Sequence, residues 1–331
     1  MGATIVGLDA QLKRWRGQLD EVEALMPLAL KRLQRTFKHL PIPEAAPALE
    51  RHLARWALDL GLQPAEAADV LAAARPGTLA CYVAPGAPEH VRGLIGMYTA
   101  LVVTVDDGVI EQGVPVARFA RSAIRLLRRG GKLPADTPAH RGLADLRARV
   151  ISAGAAGLLD ELADQLALQF QAFAREQRWL NHGDLPSLSE YLPNRGCTMA
   201  VHSLMLLHRA LPGLLRPGTR FSPALDNIAR STCSVVGLQN DICGILSDIK
   251  HHNPLNVTTV IARECDVSLP EAFHRALPLL ANRWHAALRA ADDYCAAPGR
   301  TPQEAAQARA IVAYAHGLCA WHITAPRFDF A

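Results

Sequence analysis

The stretch Asn240-Asp241-Ile242-Cys243-Gly244-Ile245-Leu246-Ser247-Asp248, read with Asp106-Asp107-Gly108-Val109-Ile110-Glu111, decides how this chain is read. Each segment sets carboxylate or amide oxygens at helical spacing inside an otherwise apolar run. Residues four apart share a helix face, so Asp107 aligns with Glu111, and Asn240 with Gly244 and Asp248. Two oxygen-rich faces opposed across a helical bundle would suit a hard divalent cation. Mg²⁺ takes oxygen ligands, keeps several waters and commonly shares its coordination with a phosphate.

Each segment alone has a plain alternative. Adjacent carboxylates at the end of the apolar run Leu101–Val105 lose hydration and repel one another, which is costly unless a cation or partner compensates. Asp-Gly is also a common turn pair, so Asp106-Asp107-Gly108 reads equally as a helix end opening into solvent. Asn240-Asp241 follows Ser234-Val235-Val236-Gly237-Leu238, and a buried amide and acid there also suit an interhelical hydrogen bond. Their joint presence in one helical chain favours the cation reading.

The surrounding sequence reads as helix almost throughout. Ala, Leu and Arg dominate, and amphipathic spacing covers 10–39, 45–60, 64–74, 89–110, 117–129, 155–180, 187–210, 223–248, 254–264, 270–296 and 302–323. Pro41/Pro43, Pro76-Gly77, Pro85-Gly86, Gly130-Gly131, Pro212-Gly213, Pro217-Gly218 and Pro298-Gly299 mark breaks. Ser222 before Pro223 and Thr301 before Pro302 read as N-caps with Pro at the first helical position. No alternating strand pattern, internal repeat or low-complexity linker occurs, so the expectation is one all-α domain spanning 1–331.

Half of the 331 residues are apolar, enough for a large core, and the net charge is +4 without a long Lys/Arg run. That argues against nucleic acid or an anionic membrane surface as partner. Seven cysteines, an odd number, with no C-x-x-C pair, are expected as reduced thiols in a cytoplasmic protein. The N-terminus lacks a signal-peptide pattern, and no apolar stretch is long enough for an integral membrane segment. His251-His252 and His316/His322 are poorly spaced for one metal and read as surface or core residues. No P-loop, G-x-S-x-G or G-x-G-x-x-G occurs.

Four signals, in order, resemble the bacterial-type class I terpene synthases (terpene cyclases). Asp106-Asp107-Gly108-Val109-Ile110-Glu111 resembles their D-D-x-x-x-E motif. Gly183 to Thr198 resembles the G-x-x-P-S-x-x-E-Y-L-x-x-R-x-x-T region, in which Arg195 falls on the diphosphate-sensing arginine and Thr198-Met199 on a linker and helix break. Asn240 to Asp248, with Asn256-Val257 behind it, resembles the N-D-x-x-S-x-x-K-E metal motif. Tyr314 to Trp321, then Arg327-Phe328, resembles the C-terminal W-x-x-G-x-x-x-W…R-Y element. The chain departs from the pattern at Gly244 for Ser/Thr, Asp248 for Glu, Ser247 for Lys and Phe328 for Tyr, with Lys250 a candidate substitute for the missing lysine.

The resemblance implies a class I terpenoid synthase helical bundle around a central cavity. It implies a diphosphate-releasing carbon–oxygen lyase that ionises an allylic prenyl diphosphate, C15 or C20 with chain length open, and cyclises the carbocation to a terpene hydrocarbon or alcohol. Implied metal ligands are Asp106, Asp107, Glu111, Asn240 and Asp248, holding Mg²⁺, three per site. Implied catalytic residues are Arg195 and Arg327, and implied substrate contacts are Arg195, Lys250, Arg327, Phe328, Thr198 and Met199. Tyr98, Phe170, Phe173, Trp179 and Trp321 are candidates for cation-facing aromatics, though core packing is the plainer reading for most of them. The expected assembly is a monomer or homodimer. Two alternatives stay open: a chain-elongating prenyltransferase, which normally has two full Asp-rich motifs, and a non-catalytic helical protein that binds a prenyl diphosphate.

Overall fold

The computed structural model describes residues 2–37, 40–62, 68–105, 116–130, 137–208 and 221–328. Among them there is no strand. In chain order the α-helices are α1 (Gly2–Arg16), α2 (Leu19–Glu23), α3 (Met26–Phe37), α4 (Ala46–Asp59), α5 (Ala68–Ala74), α6 (Pro76–Val83), α7 (Glu89–Val105) and α8 (Val116–Arg129). They continue as α9 (Pro138–Ser152), α10 (Leu159–His182), α11 (Leu188–Thr198), α12 (Val201–His208), α13 (Pro223–Lys250), α14 (Val257–Glu264), α15 (Leu269–Ala296) and α16 (Pro302–Thr324).

The helix starts follow the local chemistry. Ser222 and Thr301 cap α13 and α16, their hydroxyls accepting the backbone N–H of Leu225 and Glu304, with proline in the first turn. Thr137-Pro138 opens α9 in the same way, a helix that the apolar periodicity did not predict. Pro76-Gly77, expected as a break, begins α6 behind Arg75 in the left-handed region at φ 46°. The expected helix 10–39 is three helices, and 187–210 is interrupted at Ala200, whose φ is +54°.

α13 is central and is buried along most of its length. It packs against α11, α15 and α16. One contiguous apolar core runs from Leu8 to Phe328 and includes the N-terminal helices. Those helices hold the end of α13. Arg16 donates to the carbonyls of Ile249 (3.3 Å) and Lys250 (2.8 Å), placing a cation on the negative end of the helix. All seven cysteines are unbridged. No helix among the described residues is long and apolar enough to cross a membrane.

Gly317 lets α16 lie directly on α6. A Cβ there would stand 2.5 Å from the Tyr82 carbonyl oxygen and 2.9 Å from the Val83 Cα. Backbone on both sides leaves no flexible group to yield. Gly317→Ala should therefore destabilise the fold by about 2–3 kcal/mol, read as a lower urea midpoint with unchanged slope.

Candidate active site

The site is built around the buried carboxylate of Asp241, in the C-terminal half of α13. Its Oδ1 accepts from Arg195 Nε at 2.8 Å. Its Oδ2 accepts from the Tyr191 hydroxyl at 2.8 Å and from the Val257 backbone N–H at 2.9 Å. Four elements meet there, because Tyr191 also donates to the Leu255 carbonyl at 3.1 Å and Val257 starts α14. Burial raises the Asp241 carboxyl above its ordinary value, and Arg195, Tyr191 and the Val257 amide oppose that rise by favouring the charged form. Burial is the largest single influence on Arg195 and works against its charge, but Asp241 together with Tyr191, Glu176 and Asp248 outweighs it, so the guanidinium stays cationic.

Arg195 spans two neighbouring residues of α13. Besides Asp241, its Nη2 donates to Asn240 Oδ1 at 2.7 Å. Its side chain is 18 % exposed whereas that of Asp241 is wholly buried. The carboxylate therefore anchors the guanidinium from behind and leaves an outward edge for an anion. Gly237, one turn before Asp241, makes room for this arginine: a Cβ there would meet Arg195 Cγ at 3.0 Å. Thr198 closes the turn, its hydroxyl donating to the Arg195 carbonyl at 3.1 Å. Met199 ends α11, and the chain breaks at Ala200 before α12.

Asn240, Gly244 and Asp248 fall on one face of α13, as their spacing predicts. Both Asp248 oxygens lie 3.8 Å from where a Gly244 Cβ would stand, so the carboxylate folds back along the helix toward Asn240. Asp248 Oδ2 accepts from Asn256 Nδ2 at 2.8 Å. The Asn240 Nδ2 lies 3.4 Å from His322 Nε2 on α16. His322 is wholly buried, and burial, then Arg327 and Arg195, lowers its pKa to about 3. The ring is neutral at physiological pH and feels both arginines singled out in the sequence. Phe328 stands edge-on to Trp321 (5.3 Å) and to His322 (4.9 Å).

A separate, partly open apolar pocket with a cavity volume of about 40 Å³ lies among α7, α8, α9 and α10. Tyr98, Phe119, Phe170 and Phe173 supply its aromatic faces, with Val102, Val105, Leu143 and Leu166 around them. Val105 is the residue immediately before Asp106. Gln169 in the same wall donates to the Thr198 carbonyl at 3.1 Å, joining the cavity to the Arg195 turn.

The structure thus brings together Arg195, Thr198, Met199, Asn240 and Asp248, with Arg327 and Phe328 reached through His322. Asp106, Asp107 and Glu111 lie outside the described residues. Lys250 is not brought in: it is exposed, two residues beyond Asp248 and so on another side of the helix. Of the expected aromatics, Tyr98, Phe170 and Phe173 line the cavity. Trp179 does not, and Trp321 donates its indole N–H to the Ala74 carbonyl. Sequence reasoning missed Asp241, Tyr191, Asn256 and His322 as site residues. Asp241 was visible only as a buried acid needing a partner, and nothing in the spacing of His322 revealed its neighbours. Among the described residues no three His, Cys, Asp or Glu side chains group as a metal site.

Asp241→Asn should cost about 3 kcal/mol, because it strips the charge that compensates Arg195, and urea unfolding would measure it. His322 supplies a pH test. Its folded pKa lies below the unfolded value of 6.5, so on acidification the unfolded chain binds a proton that the folded chain refuses until about pH 3. Stability from this residue is full above the unfolded pKa and falls as pH drops through that window. His322→Asn should flatten the acid side of a plot of urea midpoint against pH.

Comparison with known proteins agrees with this architecture. The model for terpene synthase family 2, C-terminal metal binding, matches residues 98–286. The chain is 26 % identical over 309 residues to 2-methylisoborneol synthase of Saccharopolyspora erythraea, covering 86 % of each. It superposes on the structure of 2-methylisoborneol synthase from Streptomyces coelicolor A3(2), in complex with Mg²⁺ and 2-fluoroneryl diphosphate, with a TM-score of 0.79 at 21 % identity, over 88 % of this chain and 98 % of that one. Linalool/nerolidol synthase from Streptomyces clavuligerus, in complex with 2-fluorogeranyl diphosphate, gives a TM-score of 0.75 at 16 % identity, over 85 % of this chain and 100 % of that one. These structures share its fold. With the family model covering more than half of its length, this chain belongs to terpene synthase family 2, the family with the C-terminal metal-binding region.

Proposed function

We propose that this protein is a class I terpene cyclase that ionises an allylic prenyl diphosphate with Mg²⁺. The observation that carries the reading is the Arg195 guanidinium, anchored on buried Asp241, bonded to Asn240, and partly exposed on the helix face that also bears Asp248. An oxygen-only donor set of one amide and one carboxylate fits a hard cation that completes its coordination with substrate oxygens and water. Asp106, Asp107 and Glu111, outside the described residues, are the further carboxylate ligands we propose. When bound, Mg²⁺ would neutralise charge on the departing diphosphate.

The protein's own groups do the remainder. Arg195 and Arg327 donate hydrogen bonds to the diphosphate as its charge develops, and these are worth most in a dry site. Drawing Arg195 toward that anion frees Asn240 Oδ1 from the guanidinium and makes the amide oxygen available as a ligand. His322 is uncharged, so it adds no repulsion to the two arginines. The hydrocarbon chain is directed to the apolar pocket, which must widen to take it, and there the faces of Tyr98, Phe119, Phe170 and Phe173 stabilise positive charge and exclude water.

The proposed substrate class is a ten-carbon prenyl diphosphate, shorter than the C15 or C20 chain expected from the sequence. Its support is that solved relatives hold neryl and geranyl diphosphate analogues. Incubation with Mg²⁺ and geranyl, 2-methylated geranyl, farnesyl or geranylgeranyl diphosphate, with extracts read by gas chromatography–mass spectrometry, tests both parts. A cyclic product from a geranyl substrate, lost with EDTA, is expected. Product only from a longer chain would overturn the size assignment, and chain extension with isopentenyl diphosphate would overturn cyclisation. Asn240→Ala and Asp248→Ala should each lower turnover at least about a hundredfold with helical circular dichroism unchanged. Wild-type turnover in either would remove that residue from the site.

A further inference from the structure

Asn256 has two separable jobs. Its Oδ1 accepts the Thr258 backbone N–H at 2.9 Å and caps α14. Its Nδ2 donates to the Asp241 carbonyl at 2.7 Å and to Asp248 Oδ2 at 2.8 Å. The residue is wholly buried, so this amide is fixed at both ends. An N-cap needs only an acceptor, and the paired donor bonds are extra.

Asp248 is a short side chain at the last turn of α13, where helices fray most readily. An untethered carboxylate there would sample several rotamers. The Asn256 amide selects one of them, the rotamer that turns the carboxylate over Gly244 toward Asn240. Gly244 leaves that space open, and Asn256 N–H takes up one carboxylate oxygen.

We infer that Asn256 is a positioning residue for the divalent-cation site, aiming the Asp248 carboxylate along the Asn240–Gly244 face through its side-chain amide. This rests on the metal-site reading proposed above. Groups that orient a metal ligand commonly change affinity 10–100-fold when removed, and a shorter carboxylate depends more on such a partner.

The test is titration of Mn²⁺ in the presence of inorganic diphosphate, with free Mn²⁺ read by electron paramagnetic resonance. Asn256→Ser keeps a capping acceptor and removes the amide donors. Asn256→Asp also removes them at nearly constant shape, and sets a second carboxylate against Asp248 Oδ2. Each is expected to weaken Mn²⁺ binding about tenfold or more. Asp248→Ala should weaken it at least as much. Thr301→Ala, which removes the cap of α16 at the end of that helix opposite His322, should lower thermal stability and leave Mn²⁺ binding unchanged. Wild-type affinity in either Asn256 variant, with binding lost in Asp248→Ala, overturns the inference alone and reduces Asn256 to a cap. No Mn²⁺ binding by the wild type, or none lost in Asp248→Ala, overturns the metal-site reading and this inference with it. If neither Asn256 variant folds, the wild type decides: its Asn256 side-chain amide resonance should shift when Mg²⁺ is added with diphosphate, and an unmoved resonance overturns the inference.

Discussion

The structure depends on one buried acid. Asp241 has no exposed side-chain surface and accepts three hydrogen bonds, from a guanidinium, a phenol and a backbone amide. A lone carboxylate in that position would be expensive, and a lone guanidinium nearly as much. Each therefore makes the other possible. The arrangement fixes α11 against α13 through Arg195 and Tyr191, and fixes the start of α14 through Val257. Hydrogen bonds to charged groups contribute roughly 1.5–3 kcal/mol apiece, so this small network rivals a large apolar contact in setting how the helices meet.

The same constraint builds the site. Once Asp241 holds the arginine from behind, the outward edge of the guanidinium lies beside Asn240. Helical spacing then sets Gly244 and Asp248 on the same side. This face and the end of α16 are polar, while the pocket among α7–α10 is lined almost wholly by apolar side chains. A polar rim beside a dry interior suits the carbocation chemistry proposed for this site, since water inside would quench the cation early.

Much of this was legible in the residues. Caps followed by proline at Ser222 and Thr301 gave true helix starts, and the i, i+4 oxygens on α13 gave the face. Gly317 stood in a motif, but only the approach of the Tyr82 backbone explains why it must lack a side chain. What escaped was anything set by tertiary approach. His322 was six residues from another histidine and carried no periodic signal; its partners come from α13 and the C-terminal turn. Asn256 is distant from Asp248 by eight positions and a change of direction. Asp241 was read through its neighbour Asn240, yet the acid serves structure and the amide faces the site. Lys250 was credited with a role by analogy of charge, and helix geometry sends it elsewhere.

The central claim is that the Asp241-anchored Arg195 edge is an anion site for diphosphate. Calorimetric titration of inorganic diphosphate in Mg²⁺ against the wild type and Arg195→Met tests it most directly. The account predicts saturable binding to the wild type and a loss of tenfold or more, about 1.4 kcal/mol, in the variant. Equal binding by the two folded proteins, or none by the wild type, would contradict it.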